Sequence, residues 1–570
     1  MVGLGPRAHV IWLEPLVEPV ALNVLMPDLG VDPGLGLVSE FWRGRGGFEV
    51  PVGVMDRPLE QRRETLVVSL SGAGGHFGVV GSARTGKSTF LRTLVVSLAL
   101  TYTPVEVQFY VLDFGGGSFT PLRGLAHVAG VASRTDVESV RRVVAEVRSL
   151  LNDREMFFRE AGIDSVETYR RRRALGEVDD GFGDVFLVVD GWGVLRSEFE
   201  ELQDEVADIA SRGLTYGVHL VVSALRWLDI RGVVKDLLGS RVELRLGDVA
   251  ESVVGKGLAG NVPVSVPGRG LEMGGYHFLG ALPRVDSCGD VGSLGDGVEG
   301  LVAAVNGAWL GPVGPKLRLL PECLLLSELR ERVGVGCREV LLGLDEVGLA
   351  PVGFDPGVES CLFVYGDSGS GKSSLLRGFA HEVMRLYSSG EAQMFVVDYR
   401  RSLLGDISGE YLSGYVTGFD QAVEVFKALV GYCKRRLPGP DVTAEQLRDR
   451  SWWRGQEVFV LVDDYDLVAT SQGNPLVPLV EVLTQAGDIG LHLVLARRSG
   501  GAGRASYDPV IQRLTDLGAT GVLLSGNPDE GGLIGRVKPV WAVPGRARIV
   551  SRARGLYTAQ LVYQPKLDTP

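Results

Sequence analysis

Four short apolar runs recur in the same order in each half of the chain. In the first half they are Gly75-His-Phe-Gly-Val-Val80, Phe109-Tyr-Val-Leu-Asp113, Val185-Phe-Leu-Val-Val-Asp190 and Gly217-Val-His-Leu220; in the second they are Ser360-Cys-Leu-Phe-Val-Tyr365, Phe395-Val-Val-Asp398, Val458-Phe-Val-Leu-Val-Asp463 and Gly490-Leu-His-Leu493. Nearly continuous runs of this kind, without polar alternation, predict strands buried on both faces of a parallel sheet. Stretches with helical spacing separate them, among them Thr89-Phe-Leu-Arg-Thr-Leu-Val-Val96, Asp136-Val-Glu-Ser-Val-Arg-Arg-Val-Val-Ala-Glu-Val147 and Ser374-Leu-Leu-Arg-Gly-Phe-Ala380. The alternation predicts two α/β units, each a mainly parallel sheet covered by helices.

The halves align residue by residue. An offset of 285 carries Lys87 onto Lys372 and Asp113 onto Asp398, whereas an offset of 273 carries Asp190 onto Asp463 and Gly217 onto Gly490, so the second copy is 12 residues shorter in its middle. The first strand of each copy runs into Gly81-Ser82-Ala83-Arg84-Thr85-Gly86-Lys87-Ser88 or Gly366-Asp367-Ser368-Gly369-Ser370-Gly371-Lys372-Ser373. A glycine-rich turn from strand to helix points several backbone N–H groups inward as a nest for the α- and β-phosphates of a nucleotide. The lysine of such a loop reaches the β- and γ-phosphates and the following hydroxyl ligates Mg²⁺. Either match alone could be a glycine-rich turn; two in register predict two ATP sites in tandem RecA-like units. Domains are expected at 48–285 and 336–570, with a lead segment over 1–47 and a Pro/Gly-punctuated linker over 286–335.

Composition narrows the classes. With 570 residues, 45% hydrophobic and 22% charged, the chain is long and apolar enough for two large cores. A net charge of −12 argues against a generic polyanion binder. The five cysteines (Cys288, Cys323, Cys337, Cys361, Cys433) are odd in number and form no Cys-x-x-Cys pair, which suggests neither a disulfide framework nor a zinc site and fits the reducing cytosol. The most apolar window, Leu94-Val-Val-Ser-Leu-Ala-Leu100, is far short of the roughly 20 residues that span a bilayer, and Met1-Val-Gly-Leu-Gly-Pro-Arg7 lacks a signal-peptide layout.

The strand-ending acids carry the candidate chemistry. Asp190 and Asp463 are expected to hold Mg²⁺; the position after each, usually an acid that activates water, is Gly191 in the first copy and Asp464 in the second. For Asp464-Tyr-Asp466 two readings stay open, the water-activating acid and a helix N-cap cluster. His219 and His492 are expected to pack rather than catalyse.

These features resemble the FtsK/SpoIIIE superfamily and, within it, the EccC ATPases of type VII (ESX) secretion, in the split cytosolic form called EccCb. The resemblance rests on Asp113-Phe-Gly-Gly-Gly117, Val185-Phe-Leu-Val-Val-Asp-Gly-Trp192, Ser240-Arg-Val-Glu-Leu-Arg-Leu-Gly-Asp248, Pro267-Gly-Arg269, Asp398-Tyr-Arg-Arg-Ser-Leu-Leu404, Val462-Asp-Asp-Tyr-Asp466 and Pro544-Gly-Arg546. Ser451-Trp-Trp453, Asp488-Ile-Gly-Leu-His492 and Trp12-Leu-Glu-Pro-Leu16 extend it over nearly the whole chain. It implies an ATP- and Mg²⁺-dependent cytoplasmic subunit that recognises a WXG100 heterodimer through a C-terminal signal. It also implies recruitment to the inner face of the plasma membrane by a membrane-anchored EccC-type ATPase subunit, and a homo- or hetero-hexamer in the assembled machine, with monomer and ring both open for the isolated chain. Both copies depart from the family's Thr-Gln-Arg sensor, reading Ser223-Ala-Leu-Arg226 and Ala496-Arg-Arg-Ser499, so slow intrinsic turnover is expected. Arg241, where the family has a matching arginine, and Arg226 are candidates for the arginine that completes a neighbouring site; ordinary surface ion pairs are the other reading. Arg400 and Arg401 face either the second phosphate site or solvent. Two other functions stay open: a DNA translocase, which would call for a basic reading module where the sequence has only Leu561-Val-Tyr-Gln-Pro-Lys-Leu-Asp-Thr-Pro570, and a scaffold that binds ATP without hydrolysing it.

Overall fold

The computed structural model describes residues 13–566 apart from Arg231, Val335 and Ser506, and apart from the side chains of Arg504 and Ala505. The start Met1–Arg7, Trp12 of the family string and the last four residues lie outside the described residues. The chain divides into two units, Met1–Leu317 and Arg318–Pro570.

The first unit is built on one sheet of ten strands among the described residues. In chain order these are β1 (Glu49–Arg57), β2 (Arg62–Ser69), β3 (Phe77–Val80), β4 (Val107–Asp113), β5 (Val128–Ser133), β6 (Asp184–Asp190), β7 (Val218–Ala224), β8 (Ser240–Leu244), β9 (Arg269–Glu272) and β10 (His277–Gly280). Their spatial order is β2-β1-β10-β9-β8-β3-β7-β6-β4-β5. From β8 to β5 every neighbour is parallel, and from β8 to β2 every neighbour is antiparallel. Residues of β3, β4, β6 and β7 are buried throughout, as the unbroken apolar runs require. Helix α1 (Lys87–Ala99) and helix α2 (Val137–Glu160) cover the sheet with separate apolar clusters, one holding Phe77, Phe90, Leu94 and Phe186, the other Tyr110, Val143, Val147 and Leu187.

The second unit repeats this plan with β11 (Val340–Asp345), β12 (Pro351–Phe354), β13 (Cys361–Tyr365), β14 (Ala392–Val397), β15 (Leu412–Val416), β16 (Glu457–Val462), β17 (Leu491–Arg497), β18 (Thr520–Leu523), β19 (Arg546–Ser551) and β20 (Gly555–Tyr563). Their order, β12-β11-β20-β19-β18-β13-β17-β16-β14-β15, is the first sheet's order position for position. Helix α3 (Lys372–Leu386) follows the phosphate loop. Eight of the 12 missing residues fall in the helix, where α2 has 24 residues and its counterpart Phe419–Lys434 has 16.

The segments expected as lead and linker need correction. Ala21 bridges Leu282 in parallel, the Leu22 N–H donates to the carbonyls of Leu282 and Arg284, and Leu22, Met26 and Trp42 lie in the first unit's core. Within 286–335, helix Leu294–Ala308 places Leu294, Val298, Leu301 and Val305 in that same core, Leu324–Leu325 pairs in parallel with β20, and Leu326 and Leu329 of the helix Leu326–Val333 are buried in the second unit. The Pro/Gly turns around Gly311–Gly314 only punctuate this stretch; apolar spacing at i, i+4, i+7 and i+11 from Leu294 is a helical stripe that needs a core to cover.

Two imidazoles make the first unit acid-sensitive. His76 accepts the Leu220 N–H at Nδ1 (2.8 Å) and bonds the Ala210 carbonyl through Nε2 (2.8 Å), an arrangement open only to the neutral ring. Burial pushes it down to about 4, and burial does the same to His127. Since the unfolded imidazoles titrate near 6.5, the unfolded state takes up these protons first, and stability declines as pH falls from about 6.5 through 4. Each imidazole is expected to cost about 3 kcal/mol by the lower end of that window. Denaturant unfolding followed at a series of pH values checks this, with His76→Gln expected to reduce the slope for this unit.

Candidate nucleotide sites

Each phosphate loop leaves the C-terminal edge of its parallel sheet between two neighbouring strands. The Gly81 N–H donates to the Ala224 carbonyl (3.2 Å) and the Ser82 N–H to Arg245 (2.8 Å); in the second unit Gly366 reaches Arg497 (3.2 Å) and Asp367 reaches Ser525 (2.9 Å). No side chain fits at either first glycine, since a Cβ there would fall 2.7 Å from Thr85 Oγ1 or 2.3 Å from Ser370 Oγ. Gly86 and Gly371 turn into the helix at φ 97° and 112°, a left-handed conformation that side chains resist. The crest at φ 62° is Arg84 in the first loop, where the second has Gly369 at φ 78°.

A second arm braces each loop. Gly268 of Pro267-Gly-Arg269 donates its N–H to the Thr85 carbonyl (2.8 Å), and Gly545 of Pro544-Gly-Arg546 donates to Ser370 (2.9 Å), both glycines having positive φ. The repeated tripeptide marked this arm in the sequence, but its contact with a loop far away in the chain was not readable.

Lys87 Nζ donates to the carbonyls of Gly81 and Ser82, both at 2.7 Å, and Lys372 Nζ to those of Gly366 and Asp367, both at 3.0 Å. Burial pushes both ammonium groups down. A triphosphate is a stronger partner for these cations than their own loop carbonyls. Around Lys87 the opposing charge is Asp190; around Lys372 it is Asp464, then Asp463 and Asp466.

The acids differ between the sites. Asp190 accepts hydroxyl bonds from Ser223 (2.6 Å) and Ser118 (3.1 Å). A Cβ placed on Gly115 would lie 2.3 Å from Asp190 Oδ2 and 3.1 Å from Ser88 Oγ, so this glycine leaves room beside the hydroxyl and carboxylate expected to hold Mg²⁺. In the second site Ser373 Oγ donates directly to Asp463 Oδ2 (2.6 Å), and burial, reinforced by Asp464 and Asp398, pushes the Asp463 carboxyl up. Crowded, partly desolvated carboxylates beside a hydroxyl are a donor set that suits Mg²⁺. Asp113 and Asp398, the acids ending the second strand of each copy, order the following loops by accepting the N–H of Phe119 or Leu403, each at 2.8 Å; Tyr415 adds a 2.6 Å bond to Asp398. Ser118 and Tyr415 had no sequence signal of their own, whereas Ser223 opens the degenerate sensor string Ser223-Ala-Leu-Arg226.

Asp464 occupies the N-cap position of the short helix Tyr465–Val468, yet its side chain makes no cap bond and pairs instead with Arg400, Nε to Oδ2 at 3.1 Å. The capping reading is therefore corrected for Asp464: at φ 45° and ψ 54° its backbone is left-handed rather than extended as in an ordinary cap. Asp466 accepts the Arg498 N–H at 3.2 Å. Arg241 donates to the carbonyls of Leu238 and Lys235 and lies over the Trp227 ring, so it holds its own loop rather than forming a surface ion pair. Arg226 is 59% exposed and pairs with Asp229. Arg401 is exposed at φ 62°. His219 and His492 stack on Phe186 and Phe459 at 4.4 and 4.5 Å.

Twin mainly parallel sheets with braced phosphate loops and strand-ending acids define a tandem P-loop ATPase of the FtsK/SpoIIIE type, and the FtsK/SpoIIIE family model matches residues 39–287. The chain belongs to the EccC family of ESX secretion ATPases: it is 35% identical over 547 residues to the ESX-1 secretion system protein EccCb1 of Mycolicibacterium smegmatis (strain MKD8), covering 92% of this chain and 88% of that protein. It is 47% identical over 565 residues to the ESX secretion system protein EccC of Thermomonospora curvata, covering 99% of this chain but only 43% of that longer protein. The solved structure of Thermomonospora curvata EccC (ATPases 2 and 3) in complex with a signal sequence peptide superposes with a TM-score of 0.89, over 97% of this chain and 100% of that one. Among the described residues no helix is long and apolar enough to cross a membrane.

Proposed function

We propose that this chain is the signal-reading part of an ESX secretion ATPase, in which the first site holds ATP·Mg²⁺ and the second hydrolyses it slowly under the control of cargo. One observation carries the reading: a pocket of about 270 Å³ in the second unit is walled by Tyr365, the residue immediately before Gly366 of the phosphate loop, together with Ile511, Gln512, Leu533 and Ile534. Thr515 and Asp516 add polar groups to the lining, so a peptide tail of mixed polarity seated there would lie beside the strand that carries the nucleotide loop. The signal sequence peptide bound to the Thermomonospora curvata relative supports such a use, and the C-terminal signal of a WXG100 heterodimer is the cargo proposed. A membrane-anchored EccC-type subunit would recruit the chain to the inner face of the plasma membrane and complete a hexameric machine.

In the second site Lys372 would hold the β- and γ-phosphates, and Ser373 with Asp463 would hold Mg²⁺, which neutralises phosphate charge when bound. Asp464 would orient a water molecule and take its proton as the water oxygen bonds to the γ-phosphorus; the bond to the bridging oxygen breaks with its electron pair leaving on ADP. Gly191 gives the first site no such group, which favours ATP holding there.

Binding of a labelled C-terminal peptide from a WXG100 protein, followed by anisotropy, tests the pocket. Leu533→Glu and Gln512→Trp, which respectively charge and fill it, are each expected to weaken binding at least tenfold. Unchanged binding in both variants would refute this placement of the signal.

A further inference from the structure

Two positions differ between the copies as a pair. Where the second copy has Asp464 after its strand-ending acid the first has Gly191, and where the second has Arg400 two residues beyond Asp398 the first has Gly115. In the first unit these glycines flank one spot: a Cβ on Gly115 would meet Asp190, and a Cβ on Gly191 would lie 3.2 Å from Phe114 Cβ, the neighbour of Gly115. In the second unit the arginine and aspartate meet across the same spot at 3.1 Å. Arg400 is 49% exposed and Asp464 13%, so the pair lies at the protein surface, open to solvent on the arginine side. Asp464 also sits close enough to Lys372 to be the strongest countercharge on its ammonium. Arg400 is thus one carboxylate away from the group that would grip the γ-phosphate.

We propose that Arg400 is the second site's own γ-phosphate-sensing residue, which exchanges Asp464 for the γ-phosphate of ATP and thereby frees Asp464 to orient water. The inference rests on the reading that the second site binds and hydrolyses ATP. The exchange is directional because the two partners are unequal. A half-exposed ion pair contributes little and is readily broken, whereas a guanidinium grips phosphate through stronger, charge-assisted bonds. ADP lacks the third phosphate and leaves the pair in place. The arginine would therefore supply, from within the same chain, the discrimination that the degenerate Ala496-Arg-Arg-Ser499 sensor position has lost. Strain supports a role for the pair: a left-handed aspartate backbone persists only where its surroundings impose it, and such residues gather at functional sites. Arg400 acts on hydrolysis through Asp464 and is, for that step, a positioning residue.

The test uses the full chain with Lys87→Ala, so that nucleotide is read at the second site alone. Competition of ATP and of ADP against a fluorescent ADP analogue gives the ATP/ADP affinity ratio. Arg400→Ala is expected to lower ATP affinity roughly tenfold and ADP affinity by less than about twofold. Arg400→Lys should recover part of the ratio. Asp464→Asn should raise the ratio several-fold when Arg400 is present and leave it unchanged beside Arg400→Ala, because it removes the partner that competes with phosphate. In turnover assays Arg400→Ala should raise KM for ATP about tenfold and lower kcat by less, since Asp464 is then free without an exchange. An unchanged ATP/ADP ratio in Arg400→Ala, with ADP still bound, overturns the inference alone. Absence of nucleotide binding by the Lys87→Ala chain overturns the proposed function with it.

Discussion

Lys372→Ala is expected to cut ATP turnover by this chain by roughly 10²-fold or more, whereas Lys87→Ala should change it by less than about threefold. The asymmetry comes from the acids and not from the loops. Both lysines sit alike, each donating to two carbonyls of its own loop. Facing them, the first site has Asp190 held by Ser223 and Ser118 and followed by Gly191, while the second has Asp463 bonded to Ser373 and followed by Asp464. A site that grips phosphate without a group to activate water binds nucleotide without consuming it. Equilibrium binding should therefore lose one of two nucleotides in each variant, and steady-state phosphate release should collapse only in Lys372→Ala. The hydrogen bonds that both alanines remove go to loop carbonyls, so the fold should persist, and circular dichroism of each variant is the control. Equal loss of turnover in the two variants would show that the sites work as one.

Much of this was legible from residue order. Apolar runs without alternation marked the parallel strands, and the two offsets aligned the copies so closely that the identical strand order of the two sheets is their direct consequence. Loop glycines and strand-ending acids were readable because the chemistry of phosphate and Mg²⁺ fixes their spacing along the chain. What escaped was set by distance in space. The antiparallel strands flanking each parallel core, β9 with β10 and β19 with β20, are short or partly polar and carry no periodic signal before pairing. Gly268 and Gly545 reach their loops from 183 and 175 residues away, counting from Thr85 and Ser370. The Arg400–Asp464 contact joins two strand ends that only the sheet brings together. The stripe from Leu294 escaped for another reason, since glycine and proline nearby read as linker while the stripe itself was apolar enough to be core.

Arg377→Met is expected to destabilise the second unit by about 3–5 kcal/mol, because it breaks a buried ion pair from one side. Arg377 and Asp406 are 9% and 1% exposed and meet at 2.6 Å. The same guanidinium donates to the Ser402 carbonyl (3.0 Å) and to that of Gln564 (3.2 Å), so one side chain on α3 ties the loop after β14 to the residue just beyond β20. Methionine fills similar volume but satisfies none of these acceptors, and the desolvated Asp406 charge loses its arginine. Removing both charges together, as Arg377→Met with Asp406→Leu, should recover most of the loss if the charge and not the packing is responsible. The loop in question runs from Asp398 to Asp406 and carries Arg400. Its loosening should therefore weaken the second site's preference for ATP over ADP at temperatures where the unit is still folded. Denaturant unfolding gives the stability and nucleotide competition gives the preference. A variant that loses stability yet keeps the full ATP/ADP ratio would mean that Arg400 is held by its own turn, through the 3.1 Å bond from its N–H to Asp398, and not by the arginine beneath it.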